Sequence, residues 1–82
     1  MPYFDFIWEW TEDGNMQHIS QHGVTPEEVE EVVLDPERTS TSRTSGRPIA
    51  FGYTSGGRYL AVIYEQIDES TVYPITAYEV EE

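Results

Sequence analysis

The sequence predicts an α+β domain: an N-terminal strand, two helices, then a three- to four-stranded antiparallel sheet with both helices packed on one face. Three observations predict it. Residues Tyr3 to Trp10 alternate in polarity, a capping box opens an amphipathic run at Thr25, and two strand-like runs flank Gly56-Gly57. A strand and two helices followed by consecutive strands is an order that collects the helices on one side of the sheet.

In the first segment Phe4, Phe6, Trp8 and Trp10 share one side and Tyr3, Asp5, Ile7 and Glu9 the other. That is a half-buried strand with both tryptophans turned inward. Thr11 then reads as an N-cap, with Glu12 and Asp13 in the first turn where the helix dipole favours acids. This helix is expected to reach about His22 and to end at Gly23 as its C′ residue. Met16, Ile19 and Gly23 give it a thin apolar stripe, so docking must stabilise it.

The second helix is written more fully. Thr25 and Glu28 form the capping box, Pro26 occupies the first helical position, and Val29, Val32, Val33 and Pro36 recur at helical spacing. Glu27, Glu28, Glu30, Glu31 and Glu37 are expected outside, as a solvated face. The polar stretch from Arg38 to Gly46 is either an edge strand or a mobile arm.

Arg47 to Glu65 reads as a β-hairpin turning at Gly56-Gly57. A two-residue turn sets Ser55 opposite Arg58 and puts Ile49, Phe51 and Tyr53 on the face of Leu60, Val62 and Tyr64. Ala50, Gly52, Ala61 and Ile63 then fill the other face. A three-residue turn slips the register by one and exchanges these partners. The unbroken apolar run Leu60 to Tyr64 belongs in the middle of a sheet. The last strand, Thr71 to Val80, is an edge or is bulged, because Pro74 has no amide to donate.

Eighty-two residues make a single domain, residues 1–82, near the size limit for a core without staples. The absence of cysteine excludes disulfides and thiolate metal sites and suits a reducing compartment. No apolar run approaches the roughly 20 residues of a membrane span, and the start lacks a signal-peptide layout. A cytoplasmic protein without a membrane partner is the expectation.

Sixteen acids stand against four arginines and no lysine, for a net charge of -12. Such a chain repels nucleic acid as a whole. Yet Arg38, Arg43, Arg47 and Arg58 all fall between residues 38 and 64, a stretch free of Asp and Glu and rich in hydroxyls. Either an anion is welcome there, or an exposed arm and hairpin simply carry the cations. The acidity also fits a salt-rich cytoplasm.

His18 and His22 project from one side of the first helix, four residues apart. A metal needs a third ligand, and no glutamate stands between them as in the zinc-protease motif. Neither a metal nor another cofactor is expected. Proton transfer near neutral pH suits imidazole better, beside the plain alternative of exposed histidines at a helix end.

Trp10, Asn15, His18, the run His22-Gly23-Val24-Thr25 with Glu28, Asp35-Pro36, Arg47, Gly52, Gly57-Arg58-Tyr59-Leu60, Val62, Tyr64 and Ile75-Thr76-Ala77 form an ordered set. Together they resemble the BrnT family of type II toxin-antitoxin toxins, over Ile7 to about Val80. The resemblance implies a fold similar to that of the RelE ribonucleases, and RNA cleavage restrained by an antitoxin protein. Such cleavage uses the RNA 2′-hydroxyl as nucleophile and needs a base, an acid and cations for the charge on phosphorus.

On that resemblance the catalytic candidates are His22, Arg47, His18 and Tyr78, with Arg58, Arg43 and Arg38 as RNA or phosphate contacts. Tyr78 stands where the family carries an arginine, and Gln21 where it carries a basic residue. With a two-residue turn, Arg47 and Arg58 lie roughly 25 Å apart along the strand, so one phosphate cannot hold both. Arg47 is the one expected at the cleavage centre.

Two other readings use the same residues. In one, the protein is a non-enzymatic interaction module whose acidic helix, Glu27 to Glu37, meets a basic partner and whose sheet edges accept a strand. In the other, it is a stand-alone housekeeping domain adapted to salt.

Overall fold

The computed structural model of the protein describes residues 5–80. Its elements are β1 (Asp5–Phe6), α1 (Asn15–Gln21), α2 (Pro26–Leu34), β2 (Arg38–Thr41), β3 (Pro48–Tyr53), β4 (Tyr59–Gln66) and β5 (Thr71–Glu79). They form one five-stranded sheet in the order β1-β5-β4-β3-β2. The sheet is mixed, because β1 runs parallel to β5 while the other pairs are antiparallel.

The N-terminal strand ends at Phe6, four residues before the alternation predicts. β1 pairs only Asp5 with Thr71 and Phe6 with Val72, and Tyr3 and Phe4 lie outside the described residues. Beyond Phe6 the chain turns back to receive α1: the Glu9 amide donates to the Asn15 side chain at 2.8 Å, and its carbonyl accepts from Met16 at 3.3 Å. Trp8 still packs against the core, its indole donating to Glu30 at 3.2 Å. Trp10 does not; it is 80% exposed.

α1 starts three residues later than expected. Thr11 to Gly14 closes a turn, with the Gly14 amide on the Thr11 carbonyl at 3.0 Å, and Gly14, not Thr11, is the N-cap. The other end matches the sequence: His22 is the C-cap and Gly23 takes a φ of 70°. Ile19 is fully buried, so docking does hold this short helix in place.

α2 carries the predicted capping box and buries Val29, Val32 and Val33. Its acidic face is less idle than expected. Glu30 and Glu31 accept hydrogen bonds from Trp8 and Ser55, Glu37 one from Tyr59, and Glu28 ion-pairs with Arg58.

The Arg38 stretch resolves to an edge strand, with Arg38 opposite Phe51 and Thr41 opposite Pro48. In the next hairpin Tyr53 pairs with Tyr59 and Gly52 with Leu60, one step off the two-residue register. The reason is a three-residue loop closed by Thr54 and Arg58, in which only Gly57 has positive φ, 86°. Thr54 Oγ1 also accepts from the Arg58 amide at 3.2 Å, which holds that longer loop.

Ala50, Gly52, Leu60 and Val62 therefore share the face under the helices, and Phe51, Tyr53, Tyr59, Ala61 and Ile63 line the other. The core joins Ile19, Val24, Val29, Val32 and Val33 to Ala50, Leu60, Val62, Val72 and Ala77, each large side chain contributing about 1.5–3 kcal/mol. β4 lies at the centre of the sheet, as its apolar run predicts. In β5 the register shifts between Ile63 and Tyr64, just where Pro74 sits opposite Tyr64, so this strand is bulged.

Candidate functional site

α1 lies along the part of β5 that β1 is too short to cover. Its Asn15 amide donates to the Pro74 carbonyl at 2.8 Å, and His18 Nδ1 lies 3.3 Å from the Ile75 carbonyl. A carbonyl only accepts, so Nδ1 carries the proton of that bond and Nε2 is left as the basic nitrogen of neutral His18. One turn on, the His22 ring lies 6.2 Å from the Tyr78 ring, tilted by 56°. Three predicted residues, His18, His22 and Tyr78, thus share the α1–β5 seam. His18, His22 and Tyr78 are all exposed.

The hairpin loop brings Arg58 to the end of that seam. Its Nη1 donates to the carbonyl of Gly23, the residue after His22, at 2.9 Å, and ion-pairs with Glu28 at 3.0 Å. Its Nε and Nη2 each lie 3.3 Å from Glu79 Oε1, the residue after Tyr78. Arg58 is therefore the arginine that reaches the C-terminal end of α1, at the residue after His22.

Arg47 stands elsewhere. It precedes β3 whereas Arg58 follows the β3–β4 loop, so they flank opposite ends of β3, roughly 20 Å apart. Arg43 lies in the β2–β3 turn with it. Among the described residues neither forms an ion pair.

Arg38 lies 4.3 Å over the Phe51 ring and donates to the Tyr59 hydroxyl at 3.3 Å. That hydroxyl raises the Arg38 pKa above its ordinary value. Tyr59 in turn donates to Glu37 at 3.1 Å. The stretch without acids in sequence is thus not without acids in space, since α2, its C-terminal flank and β5 bring carboxylates to Arg58 and Arg38.

Strand register aligns Arg38, Phe51, Ala61 and Tyr78 as one row across β2, β3, β4 and β5, about 14 Å long at the usual strand spacing. Tyr53 and Tyr59 form the next row, rings 4.7 Å apart. The helix-free face accordingly offers aromatic rings and a guanidinium, with the histidine seam at its β5 edge. Sequence reasoning missed Glu79 and Gly23 as partners of Arg58. The signal lay in the arginine's place at the hairpin tip, but which acid reaches it depends on tertiary packing.

Among the described residues no group of three or more acids or histidines is arranged to hold a metal ion, and no helix is long and apolar enough to cross a membrane.

A two-helix layer on one face of a five-stranded mixed sheet, with histidines at its β5 edge, defines an α+β class of small domain. No family model and no curated protein matches the sequence. Among solved structures the chain is similar to the 1.1 Å crystal structure of the Brucella abortus ribonuclease toxin BrnT, with a TM-score of 0.69 and 17% identity over 100% of both chains. The chain has the BrnT-like fold that the resemblance implies.

Proposed function

We propose that the protein is a toxin of the toxin-antitoxin kind that cleaves single-stranded RNA at the α1–β5 seam and is held in check by a protein partner. The observation that carries this reading is the seam itself: His22 faces Tyr78, and Arg58 is anchored on the Gly23 carbonyl beside them. The full-length likeness to a ribonuclease toxin supports it.

In this mechanism Nε2 of His18 takes the proton of the 2′-hydroxyl, whose oxygen attacks phosphorus. The 5′-oxygen leaves with a proton from His22, and a 2′,3′-cyclic phosphate remains. Arg58 donates to the phosphoryl oxygens as charge gathers there, and the Tyr78 ring holds the His22 imidazole in place. Arg47 and Arg43, far from the seam, guide the strand electrostatically.

The test is purified protein with a single-stranded RNA, read by end-group analysis. Cyclic phosphate ends, a bell-shaped pH profile and a loss of about 10²–10⁴ in rate for His22→Ala are expected. RNA left uncut, or cut equally by His22→Ala, overturns the reading.

A second reading has its own observation. Two carboxylates on Arg58 leave the seam with little positive charge, which favours an interaction module of the same fold. It predicts a partner complex that weakens as salt rises, with RNA left intact.

A further inference from the structure

The Arg58 guanidinium is held unequally on its two sides. Nη1 is saturated by the Gly23 carbonyl at 2.9 Å and by both Glu28 oxygens, at 3.0 and 3.1 Å. Glu28 is itself fixed from a second direction, accepting from the Thr25 amide at 3.1 Å. The Nε–Nη2 side meets a single oxygen of Glu79 at 3.3 Å from each nitrogen, longer than a good charge-assisted bond of about 2.7–2.9 Å. The Glu79 side chain is 54% exposed, and among the described residues Arg58 is its sole side-chain partner.

That fork is the shape which grips two oxygens of a phosphate, and here one carboxylate oxygen fills it poorly. A phosphodiester carries the same single charge as a carboxylate, so it can take the place of Glu79 at the guanidinium while the exposed Glu79 side chain swings into solvent. What the exchange costs is one exposed ion pair, a weak interaction. The exchanged group would lie on the helix-covered face of the sheet, at the end of α1 where the Gly23 carbonyl that follows His22 holds Arg58.

Resting on the RNA reading of this seam, we infer that the Nε–Nη2 edge of Arg58 is a phosphodiester site, and that Glu79 is a built-in competitor displaced when RNA binds. Glu28 does not move; it aims the guanidinium. The protein thereby keeps its one seam arginine pre-oriented while weakening its grip on stray phosphate.

The experiment follows the Arg58 Nε–Hε resonance of the full chain during titration with inorganic phosphate and, separately, with a short oligouridylate. Both ligands shift it, and Glu79→Gln tightens both by about tenfold, through loss of the competing pair and of like-charge repulsion. Glu69→Gln makes the same charge change in the β4–β5 turn, roughly 30 Å along the strand, and alters binding less than twofold. Equal effects of Glu79→Gln and Glu69→Gln, or undiminished oligouridylate binding by Arg58→Gln in titration calorimetry with an unchanged melting temperature, overturn the inference. Tightening by Glu79→Gln without cleavage by any variant sustains the phosphate site and rejects the nuclease. Cleavage that depends on His22 without any tightening rejects only the role of Glu79.

Discussion

The side-chain amide of Asn15 donates to the backbone carbonyl of Pro74, 59 residues further along the chain, at 2.8 Å. The same nitrogen donates to the Ile7 carbonyl at 2.8 Å, and the Asn15 oxygen accepts from the Glu9 amide at 2.8 Å. One buried residue thus ties the N-terminal segment, α1 and the bulge of β5 together. Asn15→Ala strands one buried donor and two acceptors, at about 1–3 kcal/mol each where water cannot enter. The expected loss is about 3 kcal/mol in urea denaturation, and disorder of α1 should carry the histidine seam with it. Asn15→Asp keeps the acceptor for Glu9 but sets a buried carboxylate oxygen against the Ile7 and Pro74 carbonyls, so at neutral pH it should cost at least as much as Asn15→Ala.

Two glycines separate spatial from conformational constraint. A Cβ at Gly14 would lie 2.5 Å from the Glu9 carbonyl oxygen, and backbone cannot yield as a flexible side chain can. At Gly57 a Cβ meets nothing within 4 Å, but φ is 86°, so alanine costs only the left-handed strain of about 1 kcal/mol. Gly14→Ala should destabilise by about 2–3 kcal/mol and Gly57→Ala by less, a ranking that denaturant midpoints will check.

These residues also mark where the sequence could be read and where it could not. The Thr25–Glu28 box, the end of α1 at Gly23 and the central place of Leu60 to Tyr64 rest on local chemistry or on burial, and the structure agrees with them. Trp10 and the hairpin register went the other way. Alternation continues through Trp10 in sequence, but β1 ends at Phe6 because Glu9 is claimed by α1. Two glycines suggest a two-residue turn, while the Thr54 hydroxyl favours a longer one. The histidines and Tyr78 were visible as residue types. Their meeting depends on Asn15 fastening α1 to β5, and the neutralisation of Arg58 depends on two elements distant in sequence.

Glu28 has two tasks, capping α2 and holding Arg58, and substitutions can divide them. Thr25→Ala removes the hydroxyl that accepts from the Glu28 amide at 3.2 Å and should cost about 1 kcal/mol. Glu28→Ala removes the return bond to the Thr25 amide and frees Arg58 as well, so its cost should exceed that of Thr25→Ala. Because both variants damage one network, the double variant should cost less than the sum. A thermodynamic cycle from thermal melts measures the coupling.

Asp68 supplies a pH dependence whose direction the geometry settles. Its carboxylate accepts from the Ser70 amide at 2.9 Å and from the Ser70 hydroxyl at 3.3 Å, closing the β4–β5 turn. The Ser70 amide is the main cause of a pKa lowered below the ordinary aspartate value, with the Thr71 hydroxyl next. A carboxyl that titrates lower when folded binds fewer protons than in the unfolded chain, so its contribution to stability rises with pH. It is complete above the ordinary aspartate range and disappears as pH falls through the depressed native value. Asp68→Ala should therefore melt below the parent at about pH 7, and the gap should close towards about pH 2. A gap that persists undiminished in acid would assign the effect to the shape of the turn, leaving the carboxylate charge without a part in it.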